Sequence, residues 1–309
     1  MDSKISNPDE IGRRDFLKKG LVLAAGIAGA AAALSPLRKL GSTLDLEEYF
    51  RKHYKMLSPQ EMEKVLQQVA KSVEDRYGVR PDVKDPKPLD GVEFGYALNL
   101  SKCIGCRKCV HACVAENNSS RSPEIQYIRV LRFPKGRRDV EEAETLYAPQ
   151  TVPEEGYYYM PVQCHQCRKP PCVRACPVQA TWQEPDGITV VDYNWCIGCR
   201  FCMAACPYHA RRFNFSDPSI PKERLNPDMG YLSNRPRSRG VVEKCQFCLH
   251  RTRVGKEPAC AEVCPTGARK FGNLLDPESS VSYILKHKNV FVFKEEMGTL
   301  PRFYYYFDT

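Results

Sequence analysis

The chain has 309 residues, and its 24 prolines and 19 glycines predict a loop-rich protein of one or two domains. Beyond an apolar stretch near the N-terminus, no segment approaches the roughly 18 apolar residues that a membrane span requires. The formal net charge of +9 would suggest a nucleic-acid-binding protein, but that value counts all 16 cysteines as neutral.

The first 34 residues resemble a twin-arginine export signal. Arg13 and Arg14 stand ahead of an apolar stretch from Leu21 to Leu34, whose small residues suit cleavage. An ordinary basic, amphipathic terminus is the alternative. Because thiols exported in an unfolded chain would oxidise, a cysteine-rich protein requires a route that carries folded protein. The sequence therefore predicts a twin-arginine signal at residues 1–34 and a periplasmic location, and it leaves open whether the signal is cleaved or kept as an anchor.

Residues 35–94 are predicted to form a helical extension and a linker. The stretch from Leu44 to Tyr77 has a helical pattern and no cysteine, and Ser58 to Glu61 has the sequence of a capping box, with Gly78 as the helix end. One helix face is apolar, and we favour its packing on the chain's own core over docking of a partner subunit. The residues of that face are Met62, Val65, Leu66, Val69 and Val73. Pro81 to Leu89 is predicted to be a charged linker.

All 16 cysteines fall in four groups. These groups are Cys103, Cys106, Cys109 and Cys113; Cys164, Cys167, Cys172 and Cys176; Cys196, Cys199, Cys202 and Cys206; and Cys245, Cys248, Cys260 and Cys264. Groups one and three read C-x2-C-x2-C-x3-C as in bacterial ferredoxins, and groups two and four contain longer spacings before the third cysteine. Three cysteines on a tight loop can bind one [4Fe-4S] cube, while the fourth reaches a neighbouring cube. The spacing predicts four [4Fe-4S] clusters in pairs, with groups one and four interleaved and groups two and three interleaved.

Two other uses of the cysteines compete with clusters. A disulfide framework suits short exported chains, but C-x2-C pairs at this density are poor disulfide partners. Structural zinc uses two C-x2-C pairs per ion, a scheme in which the C-x3-C-Pro ending has no place.

The basic excess is predicted to be mostly internal counter-charge. Because an oxidised cube with four thiolates carries about −2, four cubes lower the net charge from +9 to about +1. The candidate counter-charges beside the cysteines are Lys102, Arg107, Lys108, Arg168, Lys169, Arg174, Arg200, Arg211, Arg212, Lys244, Arg251, Arg269 and Lys270.

Residues 95–309 are predicted to form the cluster-binding body, with insertions at residues 114–163 and 216–240. The first insertion has strand-like runs from Ile125 to Phe133 and from Gly156 to Val162, separated by a charged turn. The second insertion is predicted to be polar.

Two strand-like runs also mark the C-terminal tail. These are Val290 to Phe293 and the aromatic run from Phe303 to Phe307. For the tyrosines of the aromatic run we favour surface packing or a subunit contact over a redox role.

Four histidines lie in or beside the cysteine groups: His111, His165, His209 and His250. We interpret them as structural side chains in preference to residues that tune a cluster or pass a proton. The sequence has no G-x-G-x-x-G or P-loop pattern in a strand-and-helix context and no C-x-x-C-H haem site, so no nucleotide and no c-type haem are predicted.

Three segments carry a resemblance to a known family. They are Cys164 to Pro177 (CHQCRKPPCVRACP), Trp195 to Pro207 (WCIGCRFCMAACP) and Cys245 to Gly267 (CQFCLHRTRVGKEPACAEVCPTG). The chain resembles the four-cluster iron–sulfur subunits of dimethyl sulfoxide, polysulfide and related reductases and of some membrane-bound hydrogenases. The resemblance covers Gly95 to Tyr306.

The resemblance implies an α+β fold with two ferredoxin-like, double-cubane halves, loop insertions and an N-terminal helical extension outside the common core. Every ligand position is cysteine, which implies four cubanes and no three-iron cluster. Carried over from the family, the ligand sets are Cys103, Cys106, Cys109 and Cys264; Cys245, Cys248, Cys260 and Cys113; Cys164, Cys167, Cys172 and Cys206; and Cys196, Cys199, Cys202 and Cys176. Val114 departs from the proline that follows the other groups, which is expected to leave ligation intact and to alter the loop beside Cys113.

The resemblance also implies an electron-transfer subunit without catalytic residues. It would connect a quinone-interacting membrane subunit of the polysulfide-reductase type with a molybdopterin catalytic subunit, a hydrogenase or a multihaem cytochrome c, and would interact with no nucleic acid. It would lie in the periplasm, peripheral to the inner membrane. A self-contained iron–sulfur reductase and a scaffold stapled by clusters are the alternatives.

Overall fold

A computed structural model of the chain describes residues 52–140 and 142–308. The predicted export signal at residues 1–34 and the helical pattern before residue 52 lie outside the described residues. Within the described ranges, no helix has the length and apolar character needed to cross a bilayer.

Short strands and short helices alternate along the described part of the chain, which confirms the predicted mixture of helix and strand. The elements are α1 (Pro59–Tyr77), β1 (Asp82–Lys84), β2 (Phe94–Asn99), α2 (Lys108–Glu116), β3 (Arg129–Pro134), β4 (Tyr157–Val162), α3 (Pro171–Arg174), β5 (Thr181–Gln183), β6 (Thr189–Val191), α4 (Phe201–Ala204), β7 (Arg211–Phe213), β8 (Asp228–Gly230), β9 (Val242–Lys244), α5 (Leu249–Thr252), α6 (Ala259–Glu262), β10 (Arg269–Asn273), α7 (Ser280–His287), β11 (Val290–Phe291) and β12 (Phe303–Tyr306). Short 3-10 helices occupy Tyr54–Met56, Pro149–Thr151, Lys222–Arg224 and Glu295–Met297.

A four-stranded sheet with the order β10-β2-β12-β11 forms the centre of the fold. Strand β2 is buried along its whole length, antiparallel to β10 and parallel to β12. Because side chains alternate between the faces of a strand, Tyr96 and Leu98 point into the main core, whereas Ala97 packs with α7 on the other face. The sheet thus fixes the segment that leads into the first cysteine group.

The predicted surface role of the C-terminal aromatic run is wrong for most of its residues. Phe303 and Tyr305 are fully buried, and Tyr306 is nearly so. They are buried because β12 pairs with β2 and places alternate rings in the main core and against α7. Phe307, past the strand, is exposed. The other predicted tail strand is shorter than expected and ends at Phe291.

Helix α1 begins and ends as its sequence predicts. Ser58 and Glu61 form a reciprocal capping box, and Gly78 ends the helix with a φ of 68°. The apolar face of α1 packs on other residues of this chain, the alternative that the sequence favoured over docking of a partner subunit. Its first half joins the main core, and its second half, with Val73, packs on residues of the 216–240 segment.

Two segments predicted as linker and polar insertion contribute to folding instead. Within Pro81 to Leu89, strand β1 pairs in parallel with β8 of the second insertion. That insertion also buries Ile220, Leu225 and Met229 beneath α1. The predicted charged linker and polar insertion therefore each contain a short strand, and each segment covers apolar side chains of the other.

The first insertion forms a hairpin of β3 and β4. Strand β3 begins at Arg129, four residues later than expected, and Ile125 and Ile128 join the core from a loop. The connection after β3 extends well beyond the predicted charged turn and contains the 3-10 helix Pro149–Thr151.

Candidate functional site

Each cysteine group starts with the same backbone turn. The residue before the second cysteine has a left-handed conformation in all four groups: Gly105 (φ 71°), Gln166 (φ 45°), Gly198 (φ 71°) and Phe247 (φ 51°). Non-glycine residues rarely adopt positive φ, and bulky ones least of all. This recurrence indicates that the turn is required to aim the two thiols into one space.

Two of these turns also require glycine because there is no space for a side chain. A Cβ on Gly105 would lie 2.3 Å from the ring of Tyr159, and a Cβ on Gly198 would lie 2.0 Å from the carbonyl oxygen of Gly240. Glycine is therefore needed at both positions for conformation and for space.

The backbone that follows the last cysteine of each group has one of two conformations. After Cys176, Cys206 and Cys264, which proline follows, the chain makes a tight turn in which an amide donates three residues back to the cysteine carbonyl. After Cys113 the helix α2 continues to Glu116, and Asn117 donates its backbone amide to the Cys113 carbonyl four residues back. Val114 permits this continuation because, unlike proline, it does not clash with the preceding turn.

The structure brings together cysteines that are distant in sequence. One pocket is lined by three cysteines of group one and by the last cysteine of group four. We call this the first site, formed by Cys103, Cys106, Cys109 and Cys264.

Two further cavities have the same composition of three local cysteines and one distant cysteine. The third site is formed by Cys164, Cys167, Cys172 and Cys206. The fourth site is formed by Cys176, Cys196, Cys199 and Cys202.

The second site consists of four buried cysteines: Cys113, Cys245, Cys248 and Cys260. Burial raises the pKa of Cys113 well above its usual range, and the neighbouring thiols of Cys245, Cys248 and Cys260 raise it further. The Asn117 side-chain nitrogen lies 3.5 Å from Cys113 Sγ and 3.9 Å from Cys248 Sγ, so the last cysteine of group one lies beside group four. Among the described residues, no three His, Cys, Asp or Glu side chains converge on a position for a single metal ion.

Each of the four sites lies beside the next, in the order first, second, third and fourth. Beside the effect of burial, Cys260 of the second site raises the pKa of Cys109 of the first. Burial and then Cys164 of the third site raise the pKa of Cys245 to about 12. Cys172 of the third site likewise adds to the raised pKa of Cys202 in the fourth. Neighbouring sites are thus close enough for their charges to interact.

Some of the buried thiols are poorly suited to ionise without a positively charged ligand. Burial raises the pKa of Cys103 and of Cys167 to about 12. A bound metal centre would overcome this cost because its positive charge deprotonates a coordinating thiol. Four cysteines around a closed space form the donor set of a [4Fe-4S] cube, so the residues present fit that group.

A buried arginine lies between the two sites of each pair. Arg269, five residues after Cys264, lines the first site, and its Nη1 is 3.8 Å from Cys260 Sγ of the second. Arg211, five residues after Cys206, lines the third site. Burial alone would lower the pKa of Arg211, but Cys172 and Cys202 outweigh it and raise the value. Each guanidinium is therefore placed to offset negative charge at two sites when their cysteines are ionised.

The prediction of mostly internal counter-charge is wrong for most of the thirteen candidates. Arg211, Lys244 and Arg269 are buried, whereas the other ten are exposed or only half-buried. Long basic side chains keep their charge in water unless a fixed negative charge compensates their burial.

The four histidines differ in their surroundings. His165 is fully buried and stacks on Tyr208 with ring centroids 4.0 Å apart, and burial lowers its pKa to about 3. Its Nε2 lies 3.3 Å from the Tyr305 hydroxyl. Nε2 of His250 is 2.7 Å from Glu116. His111 and His209 are exposed. These contacts agree with a structural role for the two buried histidines.

Sequence reasoning missed the polar side chains that lie within hydrogen-bond distance of cysteine sulfurs. Tyr96, Asn117 and Gln163 reach the second site, and Thr266 reaches Cys264 of the first. Gln163 directly precedes a cysteine, but the sequence has no pattern that distinguishes a sulfur donor from any other polar neighbour.

Comparison with known proteins agrees with this geometry. Two family models described as 4Fe-4S dicluster domains match the chain, one at residues 102–180 and the other at residues 156–222 and 231–274. Together they contain all four cysteine groups.

Named relatives are similar over most of their length. The iron–sulfur cluster-binding subunit of menaquinone reductase from Nitratidesulfovibrio vulgaris is 40% identical over 69% of this chain and 88% of its own. A chain of polysulfide reductase from Wolinella succinogenes is 33% identical over 69% and 93%. A subunit of selenate reductase from Mesobacillus selenatarsenatis is 34% identical over 95% and 96%.

The matched domains span the cysteine groups, and these three relatives are aligned over more than four fifths of their own length. The chain therefore belongs to the ferredoxin-type iron–sulfur subunits of the dimethyl sulfoxide and polysulfide reductase family.

Proposed function

We propose that this protein holds four [4Fe-4S] clusters in series and relays electrons between a quinone-interacting membrane subunit and a catalytic subunit or cytochrome. The single observation that carries this proposal is the serial arrangement of four sites, each with four cysteines and each beside the next. Such a series suits conduction, since an electron that enters at one end can leave at the other.

The proposed ligand sets are the four sites defined above. Their composition matches the pairing that the family resemblance implies, in which each pair of sites exchanges its last cysteine. The two pairs would form two ferredoxin-like halves, preceded by a helical extension at residues 35–94.

Bound clusters would supply one-electron transfer without bond formation to a substrate. The chain's own residues would hold the cubes and offset their charge with Arg211 and Arg269. The fourth site reaches the surface, because Cys199 is exposed together with the apolar side chains of Ile197 and Phe201. An electron partner can approach there.

The identity of the partners rests on the relatives. Their names include a menaquinone reductase and a polysulfide reductase, so a quinone-interacting membrane protein is the expected neighbour on one side. On the other side, a molybdopterin enzyme, a hydrogenase or a multihaem cytochrome c fits the same relay.

Redox titration of the purified chain under argon tests the relay against a scaffold. We expect every cluster to be reduced and reoxidised reversibly, because a conductor must cycle between two states. Clusters that have only a structural role would resist reduction or be destroyed by it, and that result would refute the relay.

Export is proposed to use Arg13 and Arg14. Changing both to lysine should leave folded, cluster-loaded precursor in the cytoplasm, because an ammonium does not reproduce the planar fork of arginine. Fractionation and immunoblotting would measure this, with a lysine replacement of Arg51 as the matched control. Normal periplasmic appearance of the double variant would contradict twin-arginine routing.

A further inference from the structure

We infer that Tyr96, Asn117 and Gln163 raise the reduction potential of the second site by donating hydrogen bonds to its cysteine sulfurs. The inference rests on the proposed function and adds residues that set the energy of one step in the relay. In the part of the chain that the structure describes, each of the four sulfurs of this site has a side-chain donor within 4 Å.

Tyr96 is aimed at Cys260 by a neighbouring cation. Its hydroxyl oxygen is 3.3 Å from Cys260 Sγ and 3.5 Å from Nη1 of Arg269. Arginine can only donate, so the tyrosine oxygen accepts from Arg269 and its hydrogen is free for sulfur. When the cysteine is a thiolate ligand, the hydroxyl must be the donor.

Arg269 also orients Gln163. Nη1 of Arg269 donates to the Gln163 side-chain carbonyl at 2.8 Å, which leaves the amide nitrogen facing Cys245 Sγ at 3.9 Å. The reverse orientation would set the amide hydrogens against the guanidinium. One buried arginine therefore fixes the direction of two sulfur donors.

Asn117 reaches the second site because valine, and not proline, follows Cys113. Because α2 continues past Cys113, the Asn117 side-chain nitrogen lies 3.5 Å from Cys113 Sγ and 3.9 Å from Cys248 Sγ. The same nitrogen donates to the Cys113 carbonyl at 2.9 Å. A proline after Cys113 would end the helix and withdraw this donor.

The physical effect follows from charge. Reduction adds an electron to a centre that is already negative, and a fully buried site disfavours the added charge. Donors to sulfur stabilise the reduced form and raise the potential. At the fourth site, by contrast, Cys199 is exposed to solvent. The fully buried second site therefore depends on hydrogen-bond donors that the protein supplies.

The test is an EPR-monitored redox titration of the full, cluster-loaded chain. The second-site signal is the one that Cys248→Ala removes. We expect Tyr96→Phe and Asn117→Leu each to lower the reduced-to-oxidised ratio of the second-site cluster about five- to tenfold at a given potential. A tenfold change corresponds to a shift of about 59 mV for one electron. The other three potentials should stay unchanged.

Tyr305→Phe is the matched control. Tyr305 is equally buried in the adjacent strand, but its hydroxyl donates to the Pro161 carbonyl at 3.0 Å and contacts no sulfur within the described residues. It should not move the second-site potential. An unchanged potential in Tyr96→Phe, with the signal at full intensity, would overturn the inference and leave the relay standing. If the unmodified chain has no cluster that titrates, the proposed function itself fails.

Discussion

Cys264→Ala is expected to remove, or convert to a three-iron form, the same cluster that Cys103→Ala disturbs. The two cysteines belong to the first and last groups, yet both line the first site together with Cys106 and Cys109. Loss of one thiolate leaves one iron of that cube without a protein ligand, while the second site keeps its four cysteines. EPR of the two variants across a redox titration compares the clusters directly, because each has its own potential.

Cys245→Ala provides the contrast for this prediction. Cys245 lies nearer to Cys264 in sequence than Cys103 does, but it belongs to the second site. Its variant should disturb a different signal. If Cys264→Ala instead reproduces the spectrum of Cys245→Ala, the fourth group ligates its own cube and the interleaved sites are wrong.

Arg269→Gln is expected to cost the chain both clusters of the first pair. Arg269 is buried, lines the first site and approaches Cys260 of the second. Removing one partner of a buried charge pair typically costs about 3 to 5 kcal/mol, because the remaining charge is left uncompensated. Glutamine keeps much of the volume and the polar end, so the loss reports charge and not a cavity. Iron content should fall to about half, from about sixteen to about eight per chain.

Arg211→Gln makes the same change in the second pair and serves as the matched variant. Arg211 has the same spacing from its preceding cysteine and the same buried position between two sites. Its variant should keep the EPR signals that Arg269→Gln loses, and lose those that Arg269→Gln keeps. Two variants that abolish the same signals, or none, would show that neither arginine serves its own pair.

The local features of this fold could be predicted where a residue's own chemistry decides them. The capping box at Ser58 and the helix end at Gly78 follow from backbone groups within a few residues. The turn between paired cysteines is likewise local, and it recurs in all four groups. The ligand count and the interleaving of groups remain predictions from the spacing, and the cysteines that line the pockets support them.

The features that the sequence did not predict depend on contacts between residues that are distant along the chain. The aromatic run from Phe303 has the composition of a surface contact, yet pairing with β2 buries it. The 216–240 segment has a polar composition, yet its few apolar residues meet α1. Among thirteen basic candidates, only Arg211 and Arg269 stand five residues after the last cysteine of a group, but the spacing does not show that this position is buried. The sulfur donor Tyr96 is 164 residues from Cys260 along the chain. Sequence periodicity cannot show such partners.

Iron and acid-labile sulfide, measured on protein purified anaerobically, test the central claim most directly. Every cysteine is proposed to be a ligand, so the chain should hold about 4 × 4 = 16 irons and as many sulfides, with no zinc. Iron near twelve would contradict four cubes, because it corresponds to three cubes or to four three-iron clusters, and zinc in place of iron would contradict the relay altogether.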